Sequence, residues 1–196
     1  CDIDLWGEAG AIAEIEVLTT VLQAYKNLGL NNLECKISDR RILLQLITFV
    51  GLDESYSNSI CITVDKIDKI GIDGVEKELL EKDLDKAKVE IFISAIKDIK
   101  ENGIASLSKY GITNEVVENL NQIITTVQKF CAEDYKVMFD ISIVRGQGYY
   151  TGTVFEVYKT NSSIRGALGG GGRYDKMLEK FLGQSVPAVG FGLGLV

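Results

Sequence analysis

Between Val144 and Asp175 the chain sets an arginine, two adjacent tyrosines and a four-glycine run close together, in VRGQGYYTGTVFEVY and then GALGGGGRYD. A guanidinium such as that of Arg145 is always charged and offers a rigid fork of donors, which suits a carboxylate or a phosphate oxygen. The other use for such a group is an internal ion pair with a nearby carboxylate such as Asp140. Tyr149 and Tyr150 point to opposite faces if the chain there is extended, so that one packs in a core while the other lines a cleft. Gly169 to Gly172 strip four consecutive positions of side chains. Such a run fits a sharp bend where a ligand or another backbone approaches closely, or an ordinary turn. Arg173, Tyr174 and Asp175 follow directly, adding a second cation and another phenol.

Several chemistries are excluded. With no histidine in the chain, neither a Ser/His/Asp nor a Cys/His constellation exists. The four cysteines, at 1, 35, 61 and 131, lie far apart without CxxC spacing and read as reduced, mostly buried thiols rather than zinc ligands. No GxxxxGK[ST] and no strand-linked GxGxxG is present, so neither a P-loop nor a dinucleotide site is supported.

Strands and helices must hold these residues in place. CDIDLW alternates polar and apolar positions as a half-buried strand does, and Gly7 ends it. A helix is predicted next, from the recurrence of Ile12, Ile15, Leu18, Leu22 and Tyr25 at three- and four-residue steps, with Gly29 at its left-handed C-terminal position. LECKI alternates again, and Ser38 is a plausible N-cap for DRRILLQLITFV, which ends at Gly51. From Leu52 to Asp134 charged residues at helical spacing dominate, as in a small helical module. There Asp73 and Glu76 resemble a capping box for a short helix through about Lys82, and Thr113 is a candidate cap for the helix carrying Val116, Leu120, Ile123, Ile124 and Val127. Strand patterns return in VMFDISIV and TGTVFEVY. The glycine run then leads to a helix over roughly 174–181, and VPAVGFGLGLV closes as a strand or strand-to-helix join. Strand-rich ends around a helical insert predict one α+β core interrupted by a module.

Composition agrees. A chain of 196 residues with 46% hydrophobic and 25% charged residues is long enough for one sizeable core. Its formal net charge of −7 argues against a broad nonspecific nucleic-acid surface but leaves a local basic groove open. No run approaches a membrane span and no signal peptide is evident, so the expected location is cytoplasmic. The chain opens in an apparent strand without Met and closes on an apolar segment, as a piece of a longer protein would.

CDIDLWGE, KISDRR, TVDKIDK, VRGQGYYTGTVFEV, GGRYD and PAVGFGLGL, in this order, resemble the catalytic domain of the histidyl-tRNA synthetase family over essentially the whole chain. The most specific pieces are the two histidine-binding signatures, normally Arg-Gly-Leu-Asp-Tyr-Tyr and Gly-Gly-Arg-Tyr-Asp, which fall here at 145–150 and 171–175. Gln147 and Gly148 stand in place of the family's Leu-Asp, which removes a carboxylate beside the tyrosines.

The resemblance implies a class II synthetase antiparallel sheet with flanking helices. Residues 1–51 and 135–196 would form the catalytic core, and 52–134 a helical insertion domain. It implies activation of L-histidine with ATP to histidyl-adenylate and transfer to tRNA(His), with Mg2+ whose ligands are not identifiable here. Arg145 would be the catalytic arginine, near both the histidine carboxylate and the α-phosphate. Asp4, Tyr149, Tyr150 and Tyr174 would join it in the histidine site, and Gly170, Gly171, Gly192 and Gly194 would border the adenylate. The full protein would be a homodimer, with its first motif, the arginines of the second and third motifs and its anticodon-binding domain outside this chain. This fragment alone would then be inactive. The alternative is the non-catalytic, histidine-binding regulatory subunit of ATP phosphoribosyltransferase, which shares the fold but lacks most of the helical insert.

Overall fold

The computed structural model describes residues 1–145, 148–161 and 166–194. Strand β1 (Asp2–Trp6) leads into helix α1 (Ile12–Asn27), then β2 (Leu33–Asp39) and α2 (Arg40–Val50). No strand occurs among the described residues between α2 and β3; helices α3 (Ser57–Val64), α4 (Ile67–Leu80), α5 (Lys86–Asn102) and α6 (Asn114–Phe130) fill that stretch, with a 3-10 segment at Gly103–Tyr110. Strands β3 (Lys136–Phe139), β4 (Thr153–Lys159), β5 (Gly169–Arg173) and β6 (Ala188–Leu193) follow, with a short α7 (Glu179–Leu182) before the last. All the described strands join one six-stranded sheet in the order β1-β6-β5-β4-β2-β3. Its pairings are antiparallel except β2 with β3. A mainly antiparallel sheet with flanking helices is the α+β core the sequence predicts.

Register assigns the two faces. One row across the sheet runs Lys36, Glu156, Gly170, Gly192, Asp2; the next runs Ser38, Val154, Gly172, Gly190, Asp4. Because side chains alternate along a strand, these rows share one face and the intervening residues the other. The second face is the core side. Phe155, Gly171 and Phe191 are neighbours across it, and the missing side chain at Gly171 lets the two rings stack with centroids 6.0 Å apart. Tyr25 of α1 meets Phe191 edge-on at 6.4 Å. Helix α6 packs against α1, β2 and β3, so the apolar stripe Val116, Leu120, Ile123 and Val127 is buried.

Local signals explain where most elements start and stop, and also the differences from expectation. Gly29 at φ 76° closes α1, and Leu30 N–H returns to the Tyr25 carbonyl. Asp39, not Ser38, caps α2: its carboxylate accepts from Arg41 N–H at 2.8 Å, and Gly51 at φ 71° ends that helix. Helix α4 begins earlier than the supposed box at Asp73 and is broken at Gly71, whose φ of 71° no helix accommodates. Thr113 does precede α6, but its side chain binds Gln45 rather than the helix N-terminus. Strand β3 stops at Phe139 because Asp140 turns the chain, accepting from both the N–H and the hydroxyl of Ser142. The glycine run is neither bend nor turn. It is the inner strand β5, and the helix after it is shorter than the pattern suggested.

Candidate functional site

A cavity of about 480 Å³ opens on the glycine-bearing face, lined by residues from β1, β5, β6 and the segment before β4. Asp4, Arg145, Tyr149, Tyr150 and Tyr174 all line it, and so do Gly170, Gly171 and Gly192. Gly194 is not among its lining residues; its N–H donates to the Leu168 carbonyl at 2.7 Å. Gly171 has its side-chain direction toward the core, so it borders the cavity by backbone alone.

Four glycines of β5 and β6 on this face, Gly170, Gly172, Gly190 and Gly192, underlie the site, and three of them seat a site side chain. A Cβ on Gly170 would come within 3.0 Å of Glu156 Cγ and 3.1 Å of Arg145 Nη1. One on Gly172 would lie 2.9 Å from the Tyr150 ring. One on Gly190 would overlap the Asp4 carboxylate and sit 3.1 Å from the Tyr174 ring. At Gly192 the nearest atom is the Gly170 carbonyl oxygen at 3.9 Å, so that part of the floor is open. Glycine is needed in this strand for what lies on top of it, at the cost of a less stable strand interior.

At one end of the cavity, Tyr174 donates its hydroxyl to Asp4 Oδ1, and Trp6 Nε1 donates to Tyr174 Oη at 3.2 Å. Indole nitrogen is only a donor, so the phenol accepts from Trp6 and sends its own proton to Asp4. Burial, reinforced by the bond to Asp4, pushes the Tyr174 phenol up to about 12, which keeps it protonated at neutral pH. The free lone pairs of Asp4 are left to accept a ligand N–H.

Arg145 stands at the other end. Its Nη1 donates to Glu156 Oε1 at 2.6 Å, and its guanidinium carbon lies 5.8 Å from the centre of the Tyr150 ring. Burial opposes its charge, but the Glu156 and Tyr150 contacts outweigh that and raise the guanidinium further. Its backbone sits at φ 52°, a conformation that costs a non-glycine residue roughly 1–2 kcal/mol. The expected neighbour Asp140 is engaged elsewhere, paired with Lys36 at 2.8 Å.

Tyr149 and Tyr150 do not alternate, because the chain turns there rather than extending. Their rings lie 4.4 Å apart and their hydroxyls are hydrogen-bonded at 3.2 Å. Tyr150 is buried and Tyr149 is 41% exposed, yet both reach the cavity. Gln147, where the signature departs from its usual Leu-Asp, lies outside the described residues. Arg173 is turned away from the cavity: its Nε and Nη2 grip both oxygens of buried Glu14 at 2.7 and 2.6 Å, and it reaches the Glu8 and Gly10 carbonyls and Asp175. It fastens the turn between β1 and α1 beneath the site.

Sequence patterns do not single out Asp2, Trp6, Met177, Gly190 or Phe191 among the lining residues, nor Glu156 beside Arg145. Trp6 was accessible, since it shares the period-two face of Asp2 and Asp4. Glu156 and Gly190 become visible only once strand register is known. Among the described residues no group of three or more Cys, Asp or Glu side chains is placed to hold a metal ion.

Residues 3–196 match the family model described as histidyl-tRNA synthetase. A histidine--tRNA ligase from Clostridium tetani is 35% identical over 203 residues, covering 100% of this chain and 46% of the relative. One from Leifsonia xyli subsp. xyli is 36% identical over 211 residues, covering 99% and 46%. The chain thus spans about half the length of these curated relatives. Among solved structures, the histidyl-tRNA synthetase of Nostoc sp. PCC 7120 superposes with a TM-score of 0.84 at 24% identity, covering 99% of this chain and 48% of that one. An ATP phosphoribosyl transferase complex from Thermotoga maritima gives 0.70 at 18% identity, covering 98% and 64%. Those two likenesses speak to the fold, which is of the class II synthetase type; with the family match over nearly the full length, this chain belongs to the histidyl-tRNA synthetase family.

Proposed function

We propose that the protein containing this chain joins L-histidine to ATP as histidyl-adenylate and passes the histidyl group to tRNA(His), and that this chain supplies the histidine pocket and part of the adenylate site. The observation that carries the reading is the convergence of Asp4, Tyr174, Tyr150 and Arg145 on one cavity over a glycine floor. Asp4 accepts an imidazole N–H, and Tyr150, whose oxygen accepts a hydrogen bond from the Tyr149 hydroxyl, donates its own proton in a hydrogen bond to the other ring nitrogen. Neutral imidazole has one donor and one acceptor nitrogen, so the pair reads both. An analogue lacking either leaves a buried polar group unpaired and is rejected by a factor of about 10⁴.

Histidine anchored in this way directs its carboxylate toward Arg145. A carboxylate oxygen attacks the α-phosphorus, the bond to the bridging oxygen of the β-phosphate breaks, and pyrophosphate leaves with that electron pair. The guanidinium offsets the charge that builds on the phosphoryl oxygens. Gly192, the bare part of the floor, lets the nucleotide lie against the sheet, with Gly170 and Gly171 beside it. Gly194 follows β6 directly and lies outside the cavity lining. Magnesium would arrive with the ATP phosphates.

Residues 1–51 and 135–196 form the catalytic core in this reading, with 52–134 as the inserted helical domain. Contribution of β1, β2 and β3–β6 to one sheet around a stretch of helices supports that division. A homodimeric, cytoplasmic whole protein goes with it; among the described residues no helix is long and apolar enough to cross a membrane. A histidine-binding regulatory subunit shares the fold, and the ATP phosphoribosyl transferase complex from Thermotoga maritima matches 98% of this chain. The helical stretch of 52–134 is therefore not the absence from that subunit which the sequence resemblance predicts, and it does not separate the two readings; activity must. The deciding experiment is histidine-dependent exchange of pyrophosphate into ATP by the full-length protein, with Arg145→Ala lowering it about 1,000-fold in a folded protein. Full-length protein that binds histidine but catalyses no exchange would mark a sensor. Exchange by the isolated 196 residues would show that the piece suffices.

A further inference from the structure

We infer that Glu156 is a positioning residue for Arg145, holding the guanidinium at the reaction geometry from behind the cavity; this rests on the proposed adenylate-forming reaction. Glu156 is not among the residues lining the cavity, and its carboxylate meets Arg145 and Tyr158. Its Oε1 accepts from Arg145 Nη1 at 2.6 Å, and the pair lies directly on Gly170, the one row partner whose lack of a Cβ leaves room for it. The other oxygen, Oε2, accepts from the Tyr158 hydroxyl. Lys36 Nζ stands 5.3 Å over the Tyr158 ring and is itself tied to Asp140 at 2.8 Å. Thus both carboxylate oxygens of Glu156 are occupied on the protein side, and a fixed chain of contacts leads from β2 across β4 to Arg145.

The arginine is not placed to satisfy itself. Its Nε is buried without a hydrogen-bond partner among the described residues, and its backbone is in the left-handed region. Its orientation is set instead by its contacts, the Tyr150 ring on one side and, as the direct ion pair, Glu156 on the other. Fixing Nη1 also keeps the arginine from following the histidine carboxylate into a ground-state ion pair, and leaves it aimed where phosphoryl charge develops.

The test uses pyrophosphate exchange and histidine binding by the full-length protein. Glu156→Ala is expected to lower kcat about 100-fold while the histidine dissociation constant changes by less than about threefold. Glu156→Gln, which keeps an acceptor for Nη1, restores about a tenth or more of the lost rate, and Tyr158→Phe costs about three- to tenfold. If Glu156→Ala does not fold, the Gln and Phe variants carry the test. Variants that fold with kcat unchanged, or with the whole loss in histidine binding, overturn the role of Glu156. Wild-type protein without exchange overturns instead the underlying reaction, before any variant is compared.

Discussion

Asp4 and Gly190 face each other in register on β1 and β6, and the Asp4 carboxylate lies folded over the glycine in the space a Cβ would need. Gly190→Ala therefore drives the carboxylate out of its place beside Tyr174. Overpacking of this kind costs about 1–3 kcal/mol, part of it as lost ligand geometry. Histidine affinity should fall at least about tenfold by calorimetry on the full-length protein. Gly192→Ala is the contrast: its nearest neighbour is at 3.9 Å, so melting temperature should hold while the KM for ATP rises. Equal behaviour of the two alanines would go against the division of the floor into seats and open surface.

The bonds converging on Asp4 can be removed one at a time. Tyr174→Phe deletes the donor to the carboxylate, a charge-assisted bond worth about 1.5–3 kcal/mol, and histidine should bind about 10-fold or more weakly. Trp6→Phe removes only the 3.2 Å bond to the phenol from a side chain that is 60% exposed, and the loss should stay within about threefold. If Trp6→Phe proves the more damaging, the indole touches the ligand directly.

How far these relationships could be read in advance depended on whether a residue carried a side-chain pattern. Alternation in CDIDLW and TVFEVY marked β1 and β4 well, and glycines at 29, 51 and 183 marked helix ends because positive φ favours that residue. Gly169 to Gly172 had no side chains from which to read a period, so a central strand resembled a turn until its partners β4 and β6 were known. Strand β3 looked longer than it is because Ile141 and Ile143 are buried like strand residues while Asp140 turns the backbone. Of the cavity residues, Arg145, Tyr149, Tyr150 and Tyr174 were legible through the family signatures, and Asp4 through the likeness of CDIDLWGE. Glu156 was not, since its partner is set by register and by the left-handed backbone at Arg145.

Arg173 is expected to matter for stability where Arg145 matters for catalysis. Its side chain and that of Glu14 are 9% and 1% exposed, and Thr153 adds a third bond to the same carboxylate at 2.6 Å. Removing one partner strands a buried charge, at about 3–5 kcal/mol. Arg173→Ala should thus lower the denaturation midpoint of the full-length protein markedly, and Arg173→Lys, which cannot grip both oxygens, should recover only part. A wild-type midpoint in Arg173→Ala, with only exchange activity lost, would place this arginine in the reaction instead.

Asp140 should give the acid limb of stability a recognisable share. Burial works against its charge, but the bonds from Lys36 and Ser142 outweigh it and hold the carboxyl below the ordinary aspartate range. In the unfolded chain the group titrates near pH 3.9, so the folded state binds its proton later on acidification. Its stabilisation is complete above about pH 4 and is lost as the pH falls through the lower folded value. Asp140→Asn keeps an acceptor for the Ser142 turn but cannot pair with Lys36. The stability gap between wild type and Asp140→Asn, followed by urea unfolding, should be constant from about pH 5 to 7 and close progressively below about pH 4. Other depressed carboxylates, at Asp53, Glu78 and Asp98, are present in both proteins and cancel in the difference. A gap that persists undiminished at pH 2 would mean that Asp140 stabilises through its turn and not through its charge.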